Sequence, residues 1–440
     1  MRPRLDLPNG VRRALPLAAG VLLAACGGGS TGTAPAADGQ PPAEVAWVRD
    51  TMADAYLYAE RMPAADLAGL TTAEATLERL RVNPPDRFSY VERKQVYDQF
   101  FDEGRALGLG IGYRIVGETI VLRFVQPDSP AGRAGLLRGE RITAIDGVPA
   151  ATLIARAGVG DALGPSEPGV TVKLDVARAG SPLQVTLTKD WYTVQPVLAH
   201  RVIDHQGERI GYVMLYTFTE PARAAWQNAL AALQAGGATS IVVDLRENGG
   251  GRLYVAAEIA ASLAPGGTAG EVFTWLRYNA RHRADDLAVK LPANPAAGRF
   301  ARVAWITSAS TCSASEALVK GLEPWRATPA VGETTCGKPV GFNPVSSGDK
   351  VLNAVGFSVT NRDGATGWFD GLAPVCSVGA EPFLPYGDPA DPRLAEALQL
   401  VTTGACSAAA SGPQAKAAVT PTPAGPQPPE RGLASQTGLR

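Results

Sequence analysis

The sequence predicts a multidomain α/β protein: a small N-terminal helical domain, a β-rich domain, and an α/β domain with a mainly parallel sheet. Three observations carry that prediction. Apolar residues first recur at three-to-four spacing, then gather into short glycine-bounded strands, and finally alternate between apolar strands and helices. A chain of 440 residues is too long for one ordinary domain, and 45% hydrophobic against 19% charged residues can fill several cores. The 41 basic residues balance 42 acidic ones for a net charge of −1, which gives no electrostatic ground for a nucleic-acid partner.

Arg2, Arg4, Arg12 and Arg13 form a basic start, and an apolar run follows from Ala14 to Ala25. About a dozen apolar residues cannot span a bilayer, which needs about 20, so residues 1–25 read as a signal peptide. The run closes on Leu23-Ala24-Ala25-Cys26, which resembles the bacterial lipobox. That resemblance implies cleavage before Cys26 and a lipid on its thiol, hence a protein anchored on the periplasmic side of the cell envelope, inner or outer membrane undetermined. Residues 26–43 read as a flexible linker rich in Gly, Ala, Pro and Thr.

From 44 to 105 the expected structure is helical. Val45, Val48, Met52, Tyr56 and Ala59 lie on one helical stripe, which Leu67, Leu70, Leu77 and Leu80 extend. Pro63 and the pair Pro84-Pro85 punctuate it. Residues 106–190 change to short strands, including Thr119 to Val125, Val170 to Val176 and Leu183 to Leu187. Their order, and the phrase from Ser129 to Gly147 above all, resembles a PDZ domain. The resemblance implies that Gly108, Leu109, Gly110 and Ile111 offer backbone amides to a terminal carboxylate, beside a sheet edge that accepts the ligand as a strand. A dinucleotide fingerprint does not fit this loop, because its third glycine comes too early and no helix pattern follows.

Residues 191–406 alternate strand and helix. The strands are Ile210 to Leu215, Ser240 to Arg246 and Val303 to Thr307, and the helices Pro221 to Ala235, Leu253 to Leu263 and Ser313 to Leu322. A βαβ series of this kind makes a parallel sheet whose sites lie at the carboxyl ends of the strands. Residues 407–440, rich in Ala, Pro, Gly, Thr and Gln, read as a disordered tail.

Three loops leave those strands with chemically loaded residues: Asp244 to Gly251, Thr307 to Glu316 and Val331 to Pro339. In that order, and following a PDZ-like segment, they resemble the carboxy-terminal processing, or tail-specific, serine proteases. The resemblance implies a crotonase/Clp-protease-like ββα core, with Ser313 as nucleophile and Lys338, 25 residues on, as general base. It places Ala314 in the oxyanion hole with a glycine of the first loop, Gly250 ahead of Gly251. The chemistry is consistent, since a serine attacks only when a neighbour takes its proton. A lysine can do that only when burial lowers its pKa of about 10.4 toward neutrality. The expected enzyme uses no metal or cofactor and cuts unfolded or C-terminally exposed protein substrates, whose C-termini the PDZ-like domain binds.

Other readings of the same residues compete. Ser313 with Glu316 also forms a capping box, and Asp244 with Arg246 also reads as a strand-end ion pair. A Ser-His-Asp triad would need His200, His205 or His282, none of which lies in the three loops. His205 reads as a hairpin-turn residue and His282 as surface or groove lining. Many family members carry Gln four residues past the lysine, where this chain has Phe342. Phe342 is the main support for the rival function, a catalytically silent PDZ-containing scaffold of the envelope. An esterase on the same oxyanion machinery is a third reading.

Four cysteines remain once Cys26 is assigned to lipid, and four can pair in three ways. None makes a C-x-x-C spacing, so no zinc site is expected. If the family dyad is real, the loops around Ser313 and Lys338 meet. Cys312 then pairs with Cys336, which leaves Cys376 for Cys406.

Overall fold

The computed structural model describes residues 42–178, 181–379 and 382–411. The signal segment, Cys26, most of the linker and the tail beyond 411 lie outside the described residues. Among the described residues no helix is long and apolar enough to cross a membrane.

Alternation along apolar strands builds the central sheet. Ile210, Tyr212, Met214, Val242, Ala304 and Ile306 enter one core, while Val213, Leu215, Ile241, Val243 and Trp305 enter the other. A strand buried on both faces must be apolar throughout, and Ser240–Asp244 is buried at every position. The strand order is Val197–His205, Glu208–Leu215, Ser240–Asp244, Val303–Thr307, Ala330–Gly332 and Cys376–Ser377. The first two form an antiparallel hairpin with His205 at its turn, and the remaining pairings are parallel. Helices Ala222–Ala235, Leu253–Leu263 and Ala314–Leu322 pack on one face, and Pro392–Thr403 on the other. This is the mainly parallel α/β domain that the βαβ series predicts.

The β-rich part is a separate antiparallel sheet around its own core of Leu109, Ile111, Ile120, Leu122, Ile142, Ile145 and Leu153. Its main order is Ile111–Val116, Thr119–Val125, Arg141–Ile145, Thr171–Arg178 and Ser181–Thr188. Strand Ile111–Val116 therefore stands at a sheet edge, beside Thr119–Val125.

The N-terminal segment departs from an all-helical reading. Its helices are Ala43–Ala55, Ala73–Leu80 and Lys94–Phe101, with strand Tyr90–Arg93 between the last two. Leu67 and Leu70 lie in a loop, and Thr72 caps the second helix by accepting the Ala75 N–H at 3.3 Å. The strand escapes a local reading because its partner, Lys350–Asn353, is far along the chain. Val48, Met52, Tyr56, Leu77 and Leu80 share one core with Val340, Leu352 and Val355 of the α/β domain. The helical segment thus packs on the chain that follows the candidate base.

Candidate active site

The first loop is anchored from beneath. Asp244 ends its strand fully buried and accepts from Tyr212 Oη at 2.8 Å and from the Arg246 guanidinium at 2.8–3.0 Å. The same buried guanidinium reaches Asp391 at 2.6 Å. Asp391 in turn caps helix Pro392–Thr403. The strand-end ion pair is therefore present, and it ties the glycine loop to a helix on the opposite face of the sheet. A buried arginine with two carboxylates is strongly destabilising to break, because it strands an unpaired charge.

The nucleophile loop is stitched onto the first. Ser308 Oγ donates to the Arg246 carbonyl at 2.6 Å and Thr311 Oγ1 to the Leu245 carbonyl at 2.8 Å. Cys312 N and Ser315 Oγ both donate to the Asn248 carbonyl, at 3.1 and 3.0 Å. Ser313 then turns into helix Ala314–Leu322 with φ 58° and ψ −115°. A non-glycine residue at positive φ is costly, and such strain persists only where the surroundings enforce it. Gly250, at φ 110°, lies against this turn: a Cβ there would sit 2.9 Å from Ser313 Cβ and 3.2 Å from Ala314 N. Only glycine lets the first loop come so close to Ser313.

Glu316 joins the candidate nucleophile and the candidate base. Its carboxylate is fully buried and accepts the N–H groups of Ser313 (2.9 Å), Gly337 (2.9 Å) and Lys338 (2.8 Å), together with the Thr335 hydroxyl. Oε2 takes both Ser313 N–H and Lys338 N–H, so those two nitrogens are no farther apart than the two bonds end to end. Burial pushes the Glu316 carboxyl upward from its ordinary range, and the four donors pull it back. The capping role foreseen for Glu316 is met on its carboxylate side. The same group also positions the base loop.

The disulfide Cys312–Cys336 fastens these two loops with Cα atoms 5.2 Å apart, and Cys376–Cys406 closes the end of the domain at 5.6 Å. Both pairings are the expected ones. Each disulfide adjoins a glutamate, Glu316 or Glu396, close enough to form a Cys–Glu–Cys cluster. Their sulfurs are bonded to each other and are not thiolate ligands.

Lys338 is 3% exposed. Burial pulls its pKa down to about 7, against the opposing charges of Asp86 and Glu316. Its Nζ stands over the Phe342 ring at 4.0 Å from the centroid and the Phe88 ring at 5.6 Å. Phe342 thus occupies the lysine pocket. Phe88 and Asp86 belong to the N-terminal segment, and sequence reasoning did not find them. Their one local signal is the Asp86-Arg87-Phe88-Ser89 turn after two prolines.

The two oxyanion candidates in the first loop differ. Gly250 spends its N–H on Asn248 Oδ1 at 2.9 Å. Its carbonyl accepts Phe218 N at 3.0 Å, and the Phe218 carbonyl accepts Arg252 N at 2.8 Å. That parallel bridge turns the Gly251 N–H away from Phe218. Of the two glycine candidates, Gly250 has its N–H already engaged by Asn248, whereas the Gly251 N–H is not used by the Phe218 bridge. Ala314 is the first helical residue, so its N–H has no intrahelical acceptor.

Gly108, Leu109, Gly110 and Ile111 lie away from this cluster, at the start of the β-rich sheet. Leu109 and Gly110 direct their carbonyls to the amides of Ala131 and Gln126, and Ile111 opens the edge strand. A polar bridge connects that sheet to two of the three loops. Arg123 reaches Glu247 of the first loop at 2.8 Å and Ser310 of the nucleophile loop at 2.9 Å, and Arg138 reaches Glu247 at 3.4 Å. His282 sits elsewhere, bonded to Asp285 at 3.0 Å and Asp54 at 3.1 Å, contacts that raise its pKa.

Comparison with known proteins agrees with this architecture. Residues 43–90 match the peptidase S41 N-terminal domain, 123–178 a PDZ domain and 209–374 peptidase family S41. A carboxyl-terminal-processing protease of Synechocystis sp. is 28% identical over 340 residues, 74% of this chain and 76% of that protein. The chloroplastic carboxyl-terminal-processing peptidase 2 of Arabidopsis thaliana is 32% identical over 163 residues, 35% of this chain and 31% of its own length. A solved candidate S41 protease from Bacteroides fragilis shares the fold, with a TM-score of 0.65 at 21% identity over 82% of this chain and 97% of that one. The chain therefore carries a peptidase family S41 domain behind an S41 N-terminal domain and a PDZ domain, and the relatives named above are carboxyl-terminal-processing proteases, which are serine hydrolases.

Proposed function

We propose that this protein is an endopeptidase that cleaves unfolded or C-terminally exposed protein chains through a Ser313/Lys338 dyad. The observation that carries the reading is a buried lysine with its pKa near 7, attached to the loop that shares the Glu316 carboxylate with the strained Ser313 turn. Lys338 Nζ takes the Ser313 Oγ proton as Oγ attacks the scissile carbonyl. The N–H groups of Ala314 and Gly251 stabilise the oxyanion. The ammonium then protonates the leaving amine, and water hydrolyses the acyl-enzyme with Lys338 again as base. No step calls for a metal or cofactor.

The base must be neutral to work, so activity rises with pH through the lysine's pKa. A serine-reactive fluorophosphonate probe tests this directly. Between about pH 5.5 and 8.5 its labelling rate at Ser313 should climb with a midpoint near 7 and then level off. Absence of labelling throughout that range would favour the silent-scaffold reading.

The β-rich domain is proposed to capture the substrate's C-terminus, with the Gly108–Ile111 loop meeting the carboxylate and strand Ile111–Val116 accepting it by edge pairing. The Arg123–Glu247 and Arg123–Ser310 contacts offer a physical route from that domain to both catalytic loops. Peptides with an amidated C-terminus are expected to bind at least about tenfold more weakly than free acids. Equal affinity, measured by fluorescence anisotropy, would assign the domain another task. An envelope location with a lipid on Cys26 is consistent with the lipobox-like start and with two disulfides, which persist in oxidising compartments.

A further inference from the structure

The wall around the base comes from two distant parts of the chain. Phe342 follows Lys338 on the same strand-forming segment, whereas Phe88 belongs to the turn that precedes strand Tyr90–Arg93. Both ring centroids, at 4.0 and 5.6 Å, lie inside the roughly 6 Å reach of cation–π attraction.

The Phe88 turn is locked. The fully buried Asp86 carboxylate accepts the N–H groups of Phe88 and Ser89, each at 2.9 Å, with the hydroxyls of Tyr56 at 2.7 Å and Ser89 at 2.5 Å. Arg87, next in line, reaches into the base loop. Its Nη2 lies 2.8 Å from the Cys336 carbonyl, 3.3 Å from that of Gly337 and 3.1 Å from that of Phe369. On the other side, Tyr90 packs edge-on against Phe342 with centroids 5.6 Å apart. One short N-terminal segment thus holds the loop that carries Lys338, supplies one ring and braces the other.

We propose that Phe88 and Phe342 form an aromatic clamp that positions the Lys338 amine for proton transfer, which makes the N-terminal domain a wall of the catalytic centre. The inference rests on the Ser313/Lys338 reading and adds to it the positioning residues. In each half-reaction the lysine gains a proton and must carry a positive charge in a dry pocket. The negative faces of the rings attract that ammonium, while the neutral amine's lone pair stays available for the Ser313 proton. Asp86 on the Phe88 turn and Glu316 on the nucleophile helix add charge attraction, and burial opposes it. The rings also restrict where a long, flexible side chain can point, which a remote charge does not do.

Leucine at either position keeps the pocket apolar and removes the ring face. Phe342→Leu and Phe88→Leu should each lower kcat about tenfold with KM changed less than twofold. The midpoint of the pH–kcat/KM profile should move down by about half a unit, because the ammonium loses an attraction. Phe342→Tyr and Phe88→Tyr, which keep the face, should restore both. A ring that only fills space would change Tm and leave that midpoint in place. To separate charge from packing without altering shape, 3,4,5-trifluorophenylalanine at 342 should shift the midpoint in the same direction. Unmoved midpoints with kcat within twofold in the Leu and trifluoro variants would overturn the clamp, provided Ser313→Ala and Lys338→Met are inactive. Activity in those two controls would instead remove the dyad, and the clamp with it.

Discussion

Ser313→Ala and Lys338→Met should each reduce cleavage of an unfolded protein substrate by at least about 10³-fold. Alanine removes the only atom that can bond to the acyl carbon. Methionine keeps the apolar length of a buried side chain and removes the proton acceptor, so the Lys338 pocket stays filled. The double variant should be no worse than either single one, because the two groups act as a unit. Lys338→Arg should be equally inactive, since a guanidinium does not deprotonate near neutral pH. Turnover by quantitative proteolysis, with thermal melts to confirm folding, decides the matter. Activity within tenfold of the parent in either single variant would end the dyad assignment.

Glu316→Ala should have the second largest effect, and on stability as well as rate. It removes the shared acceptor of Ser313 N, Gly337 N, Lys338 N and the Thr335 hydroxyl, all around a fully buried carboxylate. A buried donor left unpaired costs about 1–3 kcal/mol, so a loss of several kcal/mol is expected. Glu316→Gln keeps one oxygen but turns an NH2 toward donors. It should fold with a lower Tm and lose more than tenfold in kcat. The Cys312–Cys336 bridge would still hold the loops near each other, so the melt and the rate report different parts of the damage. A parental Tm and kcat in Glu316→Ala would show that the carboxylate is dispensable and that the disulfide alone sets the geometry.

The elements that were legible in sequence are those written in local pattern. Helix Leu253–Leu263 and strand Ser240–Asp244 follow from runs whose period and length have one good solution. Three chemically loaded loops stood out because they leave parallel strands, which deliver their carboxyl ends to one place, and the resemblance to carboxy-terminal processing proteases then singled out Ser313 and Lys338 within them. The disulfide pairing followed from that convergence. Strand Tyr90–Arg93 did not, because its partner is Lys350–Asn353 and a four-residue strand has no period of its own to read.

The sequence by itself determined the layered α/β domain, the β-rich domain beside it, the candidate nucleophile and base, and the balanced charge that gives no electrostatic ground for a nucleic-acid partner. Periodicity, glycine placement and residue chemistry are local quantities, and the chain states them directly. Only the tertiary structure decided what surrounds Lys338 and how the two glycine amides differ. Phe342 reads in sequence as a missing hydrogen bond, yet in space it is half of an aromatic pocket whose other half, Phe88, arrives from the opposite end of the chain. Gly250 and Gly251 are equivalent as letters and differ because Asn248 claims one N–H and the Phe218 bridge turns the other away. Burial and hydrogen-bond occupancy belong to the packed molecule, and burial is what brings the pKa of the Lys338 amine down to about 7.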